Sequence, residues 1–276
     1  MINDHNDHYS FRDNLLKRGG FTPNTQYGTL DVFWVSIEGP IGAGKSTLME
    51  KLRGQLQAYY GEHNVVLMPE NIDKLMQSGL FQEYQKDPKR WAYLFQTKMF
   101  HHRTIEFMIE LHQLEKTAQA TSMLGGWWGK DAKKKKVVVI TERSIMSGEA
   151  FMNVQRRCGN VTDMEYDTYM DMHQMWKSLY PVHPSLIIYC TPGVDKDKIV
   201  DTCQERIVER DRDSEKELVT KAYNKVVLEE HENLFGGGAF PIPVMRVDTT
   251  ENYKSDDRIA MKKSAEVLDA INKHWH

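Results

Sequence analysis

A chain of 276 residues, 40% hydrophobic and 27% charged, holds enough apolar material for one large or two small domains. Its 39 acidic and 36 basic side chains leave a formal charge of -3, which gives no electrostatic basis for binding nucleic acid or a membrane surface. The three cysteines, Cys158, Cys190 and Cys203, form no Cys-x-x-Cys pair, so neither a disulfide framework nor a zinc site is expected; they fit a reducing, cytoplasmic setting.

Residues 1–30 are rich in Asn, Asp and Gly and lack periodicity, and are expected to form a flexible extension. They show no basic region followed by an apolar one, so neither a secretory signal nor a transit peptide is expected. One folded domain is expected over 31–276. Short apolar runs predict buried strands at 32–37, 64–68, 137–141, 185–190 and 243–247. Helical spacing predicts helices near 45–60, 88–118, 144–157, 163–180, 195–211, 215–235 and 255–273. Strands that are apolar on both faces and separated by helices predict a doubly wound α/β fold: five parallel strands with helices on both sides. The stretch "GGWWGKDAKKKK" (125–136) reads as a solvated loop, and "FGGGAFPIP" (235–243) as a second loop. No run reaches the length of a transmembrane helix.

"GPIGAGKST" stands between the first strand and the first helix, the context that a P-loop requires. Gly39, Gly42, Ala43 and Gly44 let backbone N–H groups turn inward around phosphate oxygens, and the helix N-terminus adds its positive dipole end. Lys45 supplies a point charge for the β- and γ-phosphates. Ser46, followed by Thr47, offers a hydroxyl to Mg²⁺. A nucleoside triphosphate, ATP, is the expected phosphate donor.

Three further stretches address the acceptor. Glu70, in "MPEN", falls just past the second strand, at the sheet edge where open α/β sheets bind ligands, and could take a proton from an attacking hydroxyl. Glu142 and Arg143 end the third strand at the same edge. Glu142 could hold Mg²⁺, and Arg143 could bind phosphate or align Glu70. In "ERIVERDRDSEKE", Arg206 and Arg210 share a helical face and Arg212 follows, as a short arginine-rich lid over a triphosphate would require.

In order along the chain, "GPIGAGKST", "PEN", "DPKRWAYLFQT", "ERS", "RIVERDRDSE" and "RVD" resemble the deoxyribonucleoside kinase family over roughly residues 31–275. The resemblance implies phosphorylation of the 5′-hydroxyl of deoxynucleosides in nucleotide salvage. It casts Glu70 as general base, Gln96 as the amide that pairs with the nucleobase edge, and Arg143 as the arginine near the transferred phosphate. Arg206, Arg210 and Arg212 become lid arginines, Glu215 and Tyr84 the sugar 3′-hydroxyl contacts, and Trp91 and Phe95 pocket walls. A homodimer through helices around 91–118 and 144–180, and feedback inhibition by an end-product deoxynucleoside triphosphate, are also implied.

The chain departs from the family pattern in places. "YQKDPKRW" is one residue longer than the family spacing, so Gln85 competes with Tyr84 for the sugar contact. Leu75 replaces a tryptophan. Gly148 stands where some members carry an acid that pairs with an arginine at the position of Arg103; Glu149 is the candidate substitute, and Phe151 comes early. Met99 lies one turn from both Gln96 and Arg103. The mixed pattern implies a broad, pyrimidine-leaning specificity. A thymidylate-type nucleotide kinase, using Arg90 or Arg103 for the acceptor's phosphate, and a non-catalytic family member remain alternatives. A P-loop motor on DNA is disfavoured by the near-neutral charge.

Overall fold

Leu30–Glu38 forms β1, the central strand, and its side chains alternate between two cores because successive Cβ atoms point to opposite faces of a sheet. Phe33, Val35 and Ile37 enter one core, and Val32 and Trp34 the other. The computed structural model describes residues 30–70, 78–124, 134–179, 183–210, 219–238, 240–251 and 256–275. Among these, the strands are β1, β2 (Val65–Met68), β3 (Lys135–Glu142), β4 (Leu186–Thr191) and β5 (Val244–Asp248). They pair in parallel in the order β2-β3-β1-β4-β5. This is the expected fold of five parallel strands flanked by helices on both faces.

The helices are α1 (Lys45–Tyr60), α2 (Leu80–Lys86), α3 (Pro88–Leu124), α4 (Ile145–Arg157), α5 (Asp163–Leu179), α6 (Lys196–Glu209), α7 (Lys221–His231) and α8 (Asp257–His274). On the face of Phe33, α1, α6 and α8 pack through Leu48, Leu52, Ile199, Cys203, Val267 and Ile271. On the face of Trp34, α3, α4 and α5 pack through Phe100, Phe107, Ile145, Met146 and Tyr169. Buried parallel strands with helices on both faces follow from the continuous apolar runs. The indole N–H of Trp34 donates to Thr141 Oγ1 (2.9 Å), which meets the one polar need of that buried ring.

Three sequence expectations need correction. Lys135 and Lys136 belong to β3 rather than to a loop, because they pair with Leu30 and Asp31 of β1; the Lys136 ammonium lies 4.8 Å over the Trp275 ring, so its charge is tolerated at the strand's solvent end. The short α2 has no counterpart in the predicted elements; Phe81 and Tyr84 bury one side of it against α3. The helix expected over 215–235 ends as α-helix at His231 and continues as a π-turn over Glu232–Gly236. Residues 1–29, Leu75, most of the 125–136 stretch, Arg212 and Glu215 lie outside the described residues. Among the described residues no helix is long and apolar enough to cross a membrane.

Candidate active site

The loop between β1 and α1 has the glycine requirement that its spacing predicted. Gly39 (φ 142°) and Gly42 (φ 84°) occupy backbone conformations hostile to a side chain. A Cβ at either would stand 2.4 Å from a carbonyl oxygen, that of Cys190 for Gly39 and that of Cys203 for Gly42. The loop is therefore pressed against the end of β4 and against α6. Gly44, also left-handed, caps α1. Thr249 Oγ1 donates to the carbonyl of Ala43 (2.7 Å), and Asn224 Nδ2 to that of Ile41 (3.0 Å), so the loop is fixed from both sides.

Lys45 is 5% exposed, and its ammonium donates to the Pro40 carbonyl (3.0 Å) with Glu142 at 4.0 Å. Burial, helped by the nearby Arg143 charge, lowers its pKa to about 8, against a partial pull upward from Glu142 and Glu70. Ser46 is exposed and its hydroxyl donates to Glu142 Oε1 (3.0 Å). Thr47 is half-buried behind it. The two residues expected to hold Mg²⁺ are thus adjacent, although 96 positions separate them. Among the described residues no cluster of three or more metal-binding side chains occurs. One carboxylate and one hydroxyl suit a hard cation that keeps water and phosphate oxygens as its other ligands.

Glu70 follows β2 directly and lines a cleft with His102, Arg103, Glu106, Glu142 and Arg143. Its carboxylate is clamped from both sides. Arg103 donates to Oε1 through Nε (3.0 Å) and through Nη2; Arg143 Nε donates to Oε2 (3.2 Å). Burial alone would push this carboxyl up, but the two guanidiniums, with Lys45 behind them, hold it at about 2. Arg143 is the only described non-glycine residue with positive φ (68°). A left-handed backbone there costs about 1 kcal/mol. It is held by the bond from its N–H to the Ile37 carbonyl (2.9 Å). The next residue is held too: Ser144 gives both its N–H (2.9 Å) and its hydroxyl (2.7 Å) to Glu38. Ser36 and Ser147 also donate to that fully buried carboxylate. Glu38 therefore ties the β3–α4 turn to the start of the phosphate loop. Its only sequence signal is a charge ending an apolar strand beside a serine-rich turn.

On α3, Gln96 (4% exposed) has no hydrogen-bond partner among the described residues. Phe95 and Met99 are buried beside it and Trp91 is half-buried. Gln96 stands two turns before Arg103, about 10 Å along the helix. Tyr84 is buried and stacks on Phe95 (4.7 Å, 2°), and its hydroxyl donates to Gln155 Oε1 on α4 (3.1 Å). Gly148 has no room for a side chain, since a Cβ would stand 2.6 Å from the Tyr169 hydroxyl and 3.3 Å from Phe100. Glu149 pairs with Lys177 on α5 (2.6 Å). Arg90 is exposed and lies 4.8 Å over the Trp91 ring. Arg206 lies beside Gly44, where its Nη2 donates to the carbonyls of Thr249 (2.7 Å) and Thr250 (3.3 Å). Arg210 caps the C-terminus of α6 one turn on.

A parallel sheet in this order, a glycine-lined anion cradle with a buried lysine, and a clamped carboxylate at the same sheet edge define a P-loop phosphotransferase. The deoxynucleoside kinase pattern matches residues 35–274, and the chain belongs to that family. It is 25% identical over 242 residues to a probable deoxycytidine kinase of fowlpox virus, which covers 86% of this chain and 88% of that one. It is 25% identical over 243 residues to a deoxyadenosine kinase of Dictyostelium discoideum (88% and 82%), and 26% identical over 257 residues to deoxycytidine kinase 2 of Gallus gallus (80% and 84%). The solved structure of a deoxyadenosine kinase from M. mycoides, with the products dCMP and a flexible dCDP bound, has the same fold. Its TM-score is 0.57 at 20% identity, with 85% of this chain and 100% of that one covered. The chain is accordingly a kinase that phosphorylates deoxynucleosides, with ATP as donor.

Proposed function

We propose that the chain transfers the γ-phosphoryl group of ATP to the 5′-hydroxyl of deoxynucleosides, with broad base tolerance leaning to pyrimidines, as a step of nucleotide salvage. The observation that carries this reading is the clamped Glu70, which shares one cleft with Arg143 and Glu142 beside the phosphate loop. In this reading the nucleobase lies against the amide of Gln96, and the sugar runs along α3 toward Glu70. Gln96 offers one donor and one acceptor, which suits several bases. Tyr84, Gln85 and Glu215 remain the candidates for the sugar 3′-hydroxyl, and Trp91, Phe95 and Met99 for the pocket wall. With no side chain at Gly148, base choice rests on Gln96 and on Arg103 once the latter leaves Glu70.

The chemistry follows from the charges. A carboxylate held near a pKa of 2 is a weak base. A loose phosphoryl-transfer transition state asks little of base strength and much of position. Glu70 therefore acts first by accepting the hydrogen bond of the 5′-hydroxyl and aiming its oxygen in line, and takes the proton late. For that oxygen to approach, Arg103 has to give up part of its hold on Oε1. Lys45, Arg143, Arg206, Arg210 and Arg212 stabilise charge spreading over the transferring group. Ser46 and Glu142 would hold Mg²⁺, which would supply neutralisation of the triphosphate charge. The hydroxyl loses its proton, a P–O bond forms to the sugar oxygen and the β–γ bridge breaks, giving a deoxynucleoside monophosphate and ADP.

The test is a panel of the four deoxynucleosides and thymidylate as acceptors with ATP and Mg²⁺, scored by product. Thymidine and deoxycytidine are expected to give the highest kcat/KM, thymidylate to be inert, and added end-product triphosphate to inhibit. Phosphorylation of thymidylate alone would replace this reading with a nucleotide kinase.

A homodimer forms part of the same proposal. The exposed apolar side chains Leu94, Ile105 and Ile109 on α3, and Met164 and Met175 on α5, lie on two of the helices that the family resemblance assigns to the interface. Sedimentation is expected to give twice the mass of one chain, and Ile109→Lys to shift it toward monomer. A monomeric wild-type chain would remove this part of the proposal.

A further inference from the structure

The Arg143 guanidinium is gripped on three sides. Its Nε is on Glu70, its plane lies 4.6 Å over the Phe151 ring, and its Nη1 lies 3.1 Å from Nε2 of His231. His231 is fully buried at the C-terminal end of α7, between the rings of Phe151 (5.5 Å) and Phe235 (6.1 Å). Its other nitrogen, Nδ1, is 2.8 Å from the Val227 carbonyl one turn earlier. A carbonyl accepts only, so Nδ1 carries the proton, and the neutral ring then presents a lone pair at Nε2. A guanidinium donates only, so the contact works in this tautomer alone. Burial, reinforced by the Arg143 charge, holds the imidazole pKa well below its ordinary value, which keeps it an acceptor.

The chain geometry delivers His231 to this place. The π-turn over Glu232–Gly236 begins at the next residue, and insertions of this kind re-aim side chains at functional sites. Glu232 folds back on Tyr189 and Arg246 of the sheet (2.9 and 2.8 Å). A Cβ at Gly236 would stand 2.4 Å from the Glu232 carboxylate, so a side chain there would displace this arrangement. Two turns before His231, Asn224 holds the phosphate loop through Ile41. One helix face thus touches both the donor cradle and Arg143.

We infer that His231 is a positioning residue for phosphoryl transfer: its Nε2 lone pair fixes the rotation of the Arg143 guanidinium, leaving Nη2, which has no partner among the described residues, for the phosphate. The inference rests on the proposed role of Arg143. It predicts a defect in turnover rather than in binding, because the bond orients a charge and touches neither substrate.

The test compares His231→Leu, which removes the acceptor at similar volume, with His231→Gln, whose amide oxygen can take the place of Nε2. His231→Leu is expected to lower kcat roughly 10- to 100-fold, the range for losing a hydrogen bond to a charged group, with both KM values within about threefold. His231→Gln is expected to recover at least about fivefold of that loss. Adding His231→Leu to Arg143→Ala is expected to cost little more than Arg143→Ala alone, as for two residues acting through one contact. On the unmodified protein, ¹⁵N spectra are expected to show His231 as the neutral Nδ1–H tautomer between about pH 5 and 8. An Nε2–H tautomer, full additivity in the double variant, or an unchanged kcat in His231→Leu overturns the inference. Wild-type turnover in Arg143→Ala would instead overturn the role given to Arg143 under the proposed function.

Discussion

Glu70→Gln is expected to lower kcat by about 10²- to 10⁴-fold, the usual contribution of a positioned proton acceptor, while ATP binding stays within a few fold. The substitution keeps the shape of the side chain and removes its charge. The amide can no longer take the hydroxyl proton, and since Arg103 and Arg143 hold opposite carboxylate oxygens, its NH₂ end faces one of the two guanidiniums, donor against donor. ATP affinity rests on the phosphate loop, whose described contacts do not include Glu70. Turnover and ATP titration measured side by side check this, and wild-type turnover would remove Glu70 from the mechanism. The acid dependence carries a second check. In the folded protein this carboxyl is held at about 2, below the ordinary 4.5, so its stabilising contribution is complete above about 4.5 and is lost as pH falls toward 2. The stability gap between wild type and Glu70→Gln should close across that window. If Arg103 withdraws part of its charge in the nucleoside complex, as proposed, the acid limb of kcat should lie at higher pH than that of kcat/KM for the nucleoside.

How much of this was legible in the chain follows the distance over which each feature is encoded. The phosphate loop is local: nine consecutive residues specify it, and the clashes that a Cβ at Gly39 or Gly42 would make with β4 and α6 show why glycine stands there. The five strands were legible because each holds a short apolar run, continuous and buried on both faces in the inner strands β1, β3 and β4. The adjacency of Ser46 and Glu142 was expected from two strand ends meeting at one sheet edge. Arg103 was read as the arginine that pairs with an acid near Gly148; the acid that it holds in the structure is Glu70, 33 residues away. No spacing rule encodes which of two acceptors a flexible arginine takes. His231 and Glu38 carried no motif. Their roles arise from a π-turn and from a serine-lined turn, features of tertiary packing that override local periodicity. The Lys135–Lys136 pair read as loop because charge outweighed the register that β1 imposes.

Lys45→Met is expected to reduce kcat/KM for ATP by about 10³-fold or more, comparable with the loss of a charge that clamps the transferring phosphates. Methionine retains the apolar stem in a pocket that is nearly closed to water and removes only the ammonium. That ammonium sits in a balance. Burial first, then Arg143, drive its pKa from 10.5 to about 8, and Glu142 and Glu70 only partly offset them. Above about pH 8 the nucleotide-free enzyme therefore begins to lose the charge that ATP needs. Bound triphosphate adds negative charge beside the amine and raises its pKa again. The expected signature is a basic limb near pH 8 in kcat/KM for ATP, which reports the free enzyme, with no matching limb in kcat at saturating ATP. Lys45→Met should abolish the limb along with the activity level. A limb that persists unchanged in Lys45→Met belongs to another group. Wild-type kcat/KM in that variant would mean that the loop does not hold the donor.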